Sequence, residues 1–400
     1  MRGDTEIIVS LDGDGNPPLP QDPRVWPLRF AEGIGQRGGI NAGARVSTAK
    51  YVMKLDAHCS VDEGFDVKLM QPYETGEIGM DTTTIPRMYN LHAWDWRCKR
   101  CGNRTYQGGP MSRCEACRTS HTDFEQVVVW QPRRHKRTDF ARFDETLHFQ
   151  YDRAYEKRPQ AQGDICDVMC HVGACFFLPR EWFWYLEGLD ERHGNWGQCG
   201  VEVSCKSWLS GGRQVVNKRT WFTHMFRTQI GFSFPYPNPG IGARKVSQDL
   251  WYNNKWPRQV RPLSWLIEKF APLPNWHEPQ GEKMLAMVVS NGREFSAKRP
   301  APPVPAPIAA PAIISSGPSK GIVFYTDNRV APAIAQAVQN QIKRSINGHR
   351  LVSVSLEPID FGLNRTLDLE RGILTMFRQI LLGLVDCHTD IVFLAEHDVL

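Results

Sequence analysis

The stretch Tyr51-Val-Met-Lys-Leu-Asp-Ala-His-Cys59 joins an apolar run to two candidate metal ligands. Residues 51–55 are aromatic, β-branched or aliphatic apart from one lysine, and small residues precede them, which predicts a short buried strand. Side chains two residues apart on an extended chain point to the same side. We therefore expect the Asp56 carboxylate and the His58 imidazole, at the end of this strand, to reach one ion.

The chemistry of this pair favours a particular class of cation. A carboxylate oxygen combined with an imidazole nitrogen suits a borderline cation such as Mn²⁺ better than Mg²⁺, which prefers oxygen ligands. An Asp-x-His tripeptide is weak by itself, because about one is expected by chance in a chain of this composition. Its position at the carboxyl end of a strand, where α/β sheets bind ligands, makes it a better candidate.

The composition allows two ordinary globular domains. The chain has 400 residues, 41% of them apolar, and a formal net charge of +5. This mild charge is compatible with an anionic substrate, but it gives no reason to expect nucleic acid. We find no apolar run of membrane-span length and no basic-then-apolar leader pattern at the N-terminus. We therefore expect a soluble, cytoplasmic protein.

Four of the eleven cysteines form a metal-binding pattern. Cys98-Lys-Arg-Cys101 and Cys114-Glu-Ala-Cys117 have the spacing of a zinc ribbon, in which two pairs of thiolates surround one Zn²⁺. Two disulfides are the alternative, but they require an oxidising compartment. Structural zinc is favoured. The other cysteines are scattered and are expected to be small buried side chains: Cys59, Cys166, Cys170, Cys175, Cys199, Cys205 and Cys387.

Beyond these patterns, the motif Lys54-Leu-Asp-Ala-His-Cys-Ser-Val-Asp-Glu-Gly-Phe65 resembles the metal-binding strand end of polypeptide GalNAc-transferases and related GT-A glycosyltransferases. Residues 6–13, 188–212 and 223–237 are similar to further segments of that family, in the same order. The resemblance covers roughly residues 5–240. It implies a GT-A (Rossmann-like) α/β fold and metal-dependent transfer of a hexosyl or N-acetylhexosaminyl group from a nucleotide-diphosphate sugar to an unidentified acceptor.

The resemblance also assigns donor-binding residues. Asp12 takes the place of an acidic residue that contacts the uracil or ribose, which points to a UDP-linked donor, although an Asp before Gly is also a common turn. Gly35 and Arg37 begin a predicted helix over 34–49, where free N–H groups and a guanidinium could meet a diphosphate. Close helix–sheet packing explains the glycines of this segment equally well.

The third metal ligand is assigned by resemblance to His224. Arg227 and Tyr236 follow it in the segment that would close over the donor.

Several side chains are candidates for the catalytic group. The family has an acidic residue where this chain has Cys199, and a thiol is a poor base at neutral pH. The candidate acids are Glu202, predicted to face the cleft at the start of a helix over 199–210, and Asp190 and Glu191. The outcome of transfer, retaining or inverting, is left open.

We predict three parts in the chain. Residues 1–278 form the transferase domain, with the zinc ribbon inserted at 94–122. Residues 279–319 are a Pro/Ala-rich linker. Residues 320–400 alternate strand and helix patterns, which predicts a second, incomplete α/β domain that could itself be transferase-like. Because family members have a strand before the one predicted at 6–11, we expect the chain to be a fragment.

Two other classes of function remain. One is a non-catalytic sugar- or nucleotide-binding module on a decayed transferase scaffold, as Cys199 would suggest. The other is a zinc-ribbon nucleic-acid-binding protein, which the basic run Arg133-Arg-His-Lys-Arg137 would support. A basic run is more often a solvated loop, and contact with an anionic acceptor is a third interpretation of it.

Overall fold

The computed structural model describes residues 1–13, 17–30, 32–109, 111–120, 123–226, 240–290, 295, 320–346 and 348–396. Its two compact units are Met1–Pro303 and Val304–Leu400. The elements of the first unit are β1 Ile7–Asp12, β2 Val25–Phe30, α1 Gly35–Val46, β3 Tyr51–Leu55, β4 Cys59–Val61, α2 Phe65–Glu74, β5 Thr82–Cys98, β6 Arg104–Tyr106, β7 Phe124–Thr138, β8 Ala141–Phe143, β9 Phe149–Tyr151, β10 Ile165–Asp167, β11 Cys175–Pro179, α3 Arg180–Tyr185, α4 Cys199–Leu209, β12 Arg213–His224, α5 Gly240–Tyr252, α6 Leu263–Lys269 and α7 Pro279–Ser290.

A mixed sheet forms the centre of the first unit. Its strand order is β10-β12-β5-β11-β3, with β4 added beside β12 and with β6 and β7 added beside β5. β12 runs parallel to β5, and β3 runs antiparallel to β11. All five residues of β11 are buried, as the apolar sequence Cys-Phe-Phe-Leu-Pro requires of a central strand. The α/β class predicted from the sequence is confirmed.

Helices and loops cover this sheet with a large apolar core. The core includes Phe176, Trp208, Phe222, Trp251 and Trp276, all at most 2% exposed. All eleven residues of α4 are buried. The prediction that Glu202, at the start of this helix, faces the cleft is therefore wrong, because neighbouring elements cover it and leave it 0% exposed.

The strand β5 extends beyond the central sheet into an arm. Its first half lies between β12 and β11, and its second half pairs antiparallel with β7 as far as Cys98↔Phe124. The cysteine cluster lies at the tip of this hairpin, beside the short strand β6.

A smaller parallel pair lies at the N-terminal end. β1 pairs with β2 from Ile7↔Val25 to Asp12↔Phe30, and α1 follows β2. The strand β2 was not predicted, because Pro27 and Arg29 interrupt its apolar pattern.

The second unit is a separate α/β layer. It contains β13 Lys320–Thr326, α8 Pro332–Ser345, β14 Arg350–Ser355, β15 Leu363–Thr366, α9 Ile373–Cys387 and β16 Ile391–Glu396. All its strands are parallel, in the order β15-β14-β13-β16. Val323, Val352 and Val354 are fully buried in its core. The short strand β15 was not predicted.

The predicted linker is only partly comparable with the structure. The helix α7 occupies Pro279–Ser290, where the linker was expected to begin, and its Val288 is buried in the core of the first unit. Most of the remainder, up to residue 319, lies outside the described residues. The assignment of a linker therefore stays a prediction. Among the described residues, no helix is both long and apolar enough to span a bilayer.

Candidate functional site

Three predicted metal ligands meet at one end of the central sheet. Asp56 and His58 lie in the turn between β3 and β4, and His224 is the last residue of β12. β4 pairs antiparallel with β12, with Cys59 opposite His224, which brings the two histidines together. His58 Nε2 and His224 Nε2 are 3.0 Å apart, and the Asp56 Oδ2 atom lies 3.6 Å from the second and 4.0 Å from the first.

The separations fit the ligand shell of a divalent cation. Ligands at neighbouring corners of an octahedron with bonds of about 2.1 Å stand about 3 Å apart. The three ligand atoms all lie within 4.8 Å of one another, and the side chains are only partly exposed, at 18% for Asp56, 28% for His58 and 13% for His224. Asp56 and His58 meet through a turn rather than through the alternation of an extended strand. The residues present therefore fit a cation such as Mn²⁺.

A lysine that the sequence analysis did not single out positions the carboxylate. The Lys54 ammonium is buried, donates to the Gly173 carbonyl oxygen at 2.6 Å and forms an ion pair with Asp56 Oδ1. Gln36 Nε2 donates to the same Oδ1 atom at 3.2 Å. These contacts leave Oδ2 directed at the histidines. The signal was present in the sequence, since Lys54 and Asp56 are two residues apart.

The charges around Asp56 keep it ionised. Burial by itself would raise the pKa of this carboxyl. The charge of Lys54 and the hydrogen bonds from His224 and Lys54 act in the opposite direction and hold the pKa below its ordinary value. Asp56 is therefore an anionic ligand at neutral pH.

Asp12 and Gly35 lie together at the start of α1. Asp12 Oδ1 accepts a hydrogen bond from the Ile34 N–H at 2.5 Å, and Oδ2 accepts one from the Gly35 N–H at 3.0 Å. Gly35 has φ +78°, and a Cβ there would collide with the Asn195 side chain. Asp12 thus holds the N-terminus of the helix whose Gln36 reaches Asp56. The helix begins beside the metal ligands, and Asp12 occupies the N–H groups of Ile34 and Gly35 at its start.

Arg37 has a different role from the one predicted. It is 1% exposed, and its Nε donates to Glu202 Oε2 at 2.9 Å. Its other nitrogens donate to the carbonyl oxygens of Gly194, at 3.0 Å, and Gly197, at 2.7 Å. The guanidinium faces the interior and not a cleft, so it holds the loop before α4 instead of facing a diphosphate.

Glu202 is likewise a buried structural group in this conformation. Its Oε1 accepts from the Asp190 N–H at 2.6 Å and lies 3.0 Å from Lys206 Nζ. Burial alone would raise the pKa of Glu202, but Lys206, Arg37 and His193 outweigh that effect and lower it. A fully buried, ion-paired carboxylate is not placed to accept a proton from an acceptor, which corrects the expectation that Glu202 faces the cleft.

The remaining acids and Cys199 lie on the same loop and helix start. Asp190 accepts from the Arg192 N–H at 3.0 Å and pairs with the Arg192 guanidinium. Glu191 is exposed, and its Oε1 accepts from Asn41 Nδ2 at 3.0 Å. Burial raises the pKa of the Cys199 thiol, which keeps it protonated. Arg227 and Tyr236 lie outside the described residues.

The four cysteines of the predicted ribbon form the second cluster. Cys98 Sγ is 3.6 Å from Cys117 Sγ, and Cys101 Sγ is 3.7 Å from Cys114 Sγ. Sulfur atoms around a tetrahedral zinc with bonds of about 2.3 Å stand about 3.8 Å apart, so the cluster fits that ion. None of the cysteines is in a disulfide.

The backbone of both cysteine pairs folds in the same way. The N–H of Gly102 donates to the Cys98 carbonyl at 2.8 Å, and that of Arg118 donates to the Cys114 carbonyl at 3.0 Å. Both donors have positive φ, at 73° and 62°. Each cysteine pair therefore sits on a tight turn that brings its two sulfur atoms to one side.

Comparison with known proteins gives sequence relatives of one kind. No family model matches the chain. Polypeptide N-acetylgalactosaminyltransferase 13 of Drosophila melanogaster is 23% identical over 241 residues, 60% of this chain and 36% of that protein. N-acetylgalactosaminyltransferase 7 of Caenorhabditis elegans is 27% identical over 239 residues, 57% of this chain and 35% of that protein. Human polypeptide N-acetylgalactosaminyltransferase 10 is 33% identical over 64 residues, 16% of this chain and 11% of that protein.

A solved structure gives a weaker match. The crystal structure of GalNAc-T7 with UDP, GalNAc and Mn²⁺ aligns with a TM-score of 0.46 and 16% identity, over 73% of this chain and 50% of that chain. The chain spans about a third of the length of the first curated relatives it matches, at 36% and 35%. In sequence the chain resembles the polypeptide N-acetylgalactosaminyltransferases, which confirms the resemblance inferred from its motifs.

Proposed function

We propose that the first unit is a metal-dependent glycosyltransferase, which moves a sugar from a nucleotide-diphosphate donor to an acceptor hydroxyl. The observation that carries this proposal is the convergence of Asp56 and His58 with His224, which is 166 positions after His58, on one point at the end of the central sheet. Their segments are also the ones that resemble the transferases. The site of ligand binding in α/β sheets is the same strand end.

The residues of the site have two roles, since some would bind the cation and others fix the position of its ligands. Asp56 Oδ2 and the two histidine Nε2 atoms would hold the ion, and Lys54 and Gln36 fix the orientation of the carboxylate. Such a cation, when bound, neutralises the charge that develops on the leaving diphosphate. Asp12, through α1, keeps the start of that helix beside the ligands.

The donor we propose is a UDP-linked N-acetylhexosamine, since the relatives are named for N-acetylgalactosamine transfer. The acceptor we propose is a polypeptide, as in the name of the Drosophila relative. The cysteine cluster is proposed to hold structural Zn²⁺. The cytoplasmic location stays a prediction.

Our choice of proton acceptor rests on the surroundings of each candidate side chain. Glu202 is ion-paired with the buried side chains of Arg37 and Lys206. Burial raises the pKa of the Cys199 thiol and keeps it protonated. Asp190 and Glu191 remain the candidate acids. If neither Asp190 nor Glu191 is needed, sugar transfer proceeds without a base from the segment before α4. If the protein transfers no sugar, the site is a donor-binding module.

The test is the binding of uridine diphosphate, measured by isothermal titration calorimetry with and without Mn²⁺. We expect binding that requires Mn²⁺ in the wild type and that is lost in Asp56→Ala, His58→Ala and His224→Ala. Their effects should be strongly non-additive, since each substitution already empties the site. His148→Ala, a substitution at an exposed histidine, is the matched control and should bind as the wild type does.

The outcomes separate the alternatives. Metal-independent binding would reject the metal dependence of the site. Mn²⁺-dependent binding that is unchanged in His224→Ala, with lower stability, would remove His224 from the site. The absence of any binding would reject the transferase proposal. Binding without sugar transfer to any peptide, in an assay with UDP-N-acetylhexosamine, would favour the non-catalytic module.

A further inference from the structure

The basic run Arg133-Arg-His-Lys-Arg137 lies in the same sheet as the metal ligand His224, two strands away from it. His224 on β12 pairs with Asn90 on β5, and Asn90 pairs in turn with Arg133 on β7. Arg133 is therefore two strands from His224 in the same row, a separation of about 10 Å between Cα atoms. Cα atoms of β7 also come within 8 Å of β4, the strand that starts directly after His58.

The register puts Arg133 on the same face of the sheet as the third metal ligand. Side chains of residues directly paired across neighbouring strands share a face. Arg133 lies over the Tyr106 ring, 4.1 Å from its centroid, and the Tyr106 ring packs against His92, two residues after Asn90 on the same strand. Arg134 points to the opposite face, over the rings of Tyr89 and Trp221.

Among the described residues, Arg133 forms no ion pair with a carboxylate of this chain. In the described part of the chain, the ion pairs of this basic run are made by Arg137, with Asp139 at 4.0 Å and Glu156 at 3.8 Å, and not by Arg133. The Asp95 carboxylate, on β5, contacts His92 at 2.6 Å and Arg104 at 3.7 Å. The neighbouring His135 contacts the Arg133 guanidinium at 3.4 Å. A half-buried guanidinium that lies over an aromatic ring is well placed to bind a carboxylate.

We propose that Arg133 is a specificity-determining residue that binds an acidic side chain of the acceptor polypeptide, about three residues from the hydroxyl that receives the sugar. The spacing places the receiving hydroxyl beside the metal ligand His224, and divides the lateral distance of about 10 Å to Arg133 by a rise of about 3.3 Å per residue in an extended peptide. This inference rests on the proposed function for the identity of the hydroxyl, and on the sheet register for the position of the anion.

The test compares two pools of short fluorescent peptides. Each has one central threonine, and the third residue on either side is Asp in one pool and Asn in the other. Equilibrium binding is measured by anisotropy in the presence of UDP and Mn²⁺. For the wild type we expect the Asp pool to bind about threefold to tenfold more tightly, and the preference should weaken as salt is raised.

Three variants assign the preference to one side chain. Arg133→Gln should bind both pools equally, Arg133→Lys should keep part of the preference, and Arg134→Gln, on the opposite face, should keep it in full. Equal binding of the pools by the wild type, or a preference that survives in Arg133→Gln, would overturn the inference. So would tighter binding of an oligonucleotide that is lost in Arg133→Gln.

Sugar transfer to the same two peptide pools is measured in a separate assay from peptide binding. Transfer to both pools with equal efficiency overturns the specificity and leaves the proposed function intact. A binding preference without transfer has the opposite meaning: it supports the acidic-peptide site and counts against the transferase activity.

Discussion

Arg37 and Glu202 form an ion pair that solvent does not reach. Arg37 Nε lies 2.9 Å from Glu202 Oε2, the side chains are 1% and 0% exposed, and the two residues are 165 positions apart in the sequence. The pair joins α1 to α4, and Lys206 completes the cluster on the other carboxylate oxygen. A buried charge without its partner is strongly destabilising, so this cluster makes the two helices depend on each other.

The first prediction concerns the role of this cluster. Glu202→Gln should lower the free energy of unfolding by about 3 kcal/mol, because it leaves Arg37 and Lys206 buried without a counter-charge. Urea denaturation measures the change. Glu191→Gln, on an exposed side chain of the segment before α4, is the control and should change stability by at most about 0.5 kcal/mol. A Glu202→Gln protein of unchanged stability that has lost sugar transfer would instead indicate a catalytic base.

The second prediction concerns zinc. The purified, reduced protein should contain about one zinc per chain, because four thiolates at these sulfur–sulfur distances form a closed tetrahedral site. Cys98→Ser should lose the metal, as measured by elemental analysis. Cys387→Ala, in the second unit, should retain it. Metal-free wild-type protein with an intact fold would contradict the assignment.

The third prediction is a pH dependence carried by His171. Burial, with the charge of Lys54, lowers the pKa of this histidine from 6.5 to about 3. Between these values the unfolded chain binds one more proton than the folded chain, so stability falls as the pH is lowered.

The comparison is with His171→Asn, whose amide oxygen can still accept the hydrogen bond from the Gly173 N–H. Between about pH 5.5 and 4, the wild type should lose up to about 1.4 kcal/mol per pH unit more than the variant. Parallel pH profiles from denaturation at several pH values would show that His171 does not stay neutral in the folded protein.

The fourth prediction concerns the division of the chain. Limited proteolysis should cut first within residues 299–318, where proline and alanine dominate, and release two compact pieces. Mass spectrometry identifies the cut. First cleavage inside either α/β unit, with residues 299–318 protected, would contradict the predicted linker.

Local patterns in the sequence were sufficient for the strand β3, for the pair Asp56 and His58, and for the four cysteines of the second cluster. β3 is observed at Tyr51–Leu55, the range predicted from its apolar run. The cysteine cluster follows from spacing alone, because each pair sits on one tight turn. The meeting of Asp56 with His224 required the resemblance, since nothing local in the sequence connects the two segments.

The roles of Arg37, Asp12 and Glu202 could not be predicted in the same way. Each is decided by a contact that forms only in the folded chain. Arg37 and Glu202 pair with each other across 165 positions of the sequence, and Asp12 binds the N-terminus of α1. A guanidinium at the start of a helix has the same sequence signature whether it faces a phosphate or a buried acid. Only the packing of the helices distinguishes the two.

One continuous strand connects the candidate zinc site to the centre of the first unit. β5 begins at Thr82 between buried strands and ends at Cys98, a ligand of the cluster. Zinc that binds only the folded chain raises its free energy of unfolding by mass action. Because β5 is shared by the zinc site and the central sheet, the sheet is stabilised as well. The stability of the whole first unit should therefore vary with the logarithm of the free zinc concentration around it. A chelator would act as a mild denaturant of a sheet whose core it never touches.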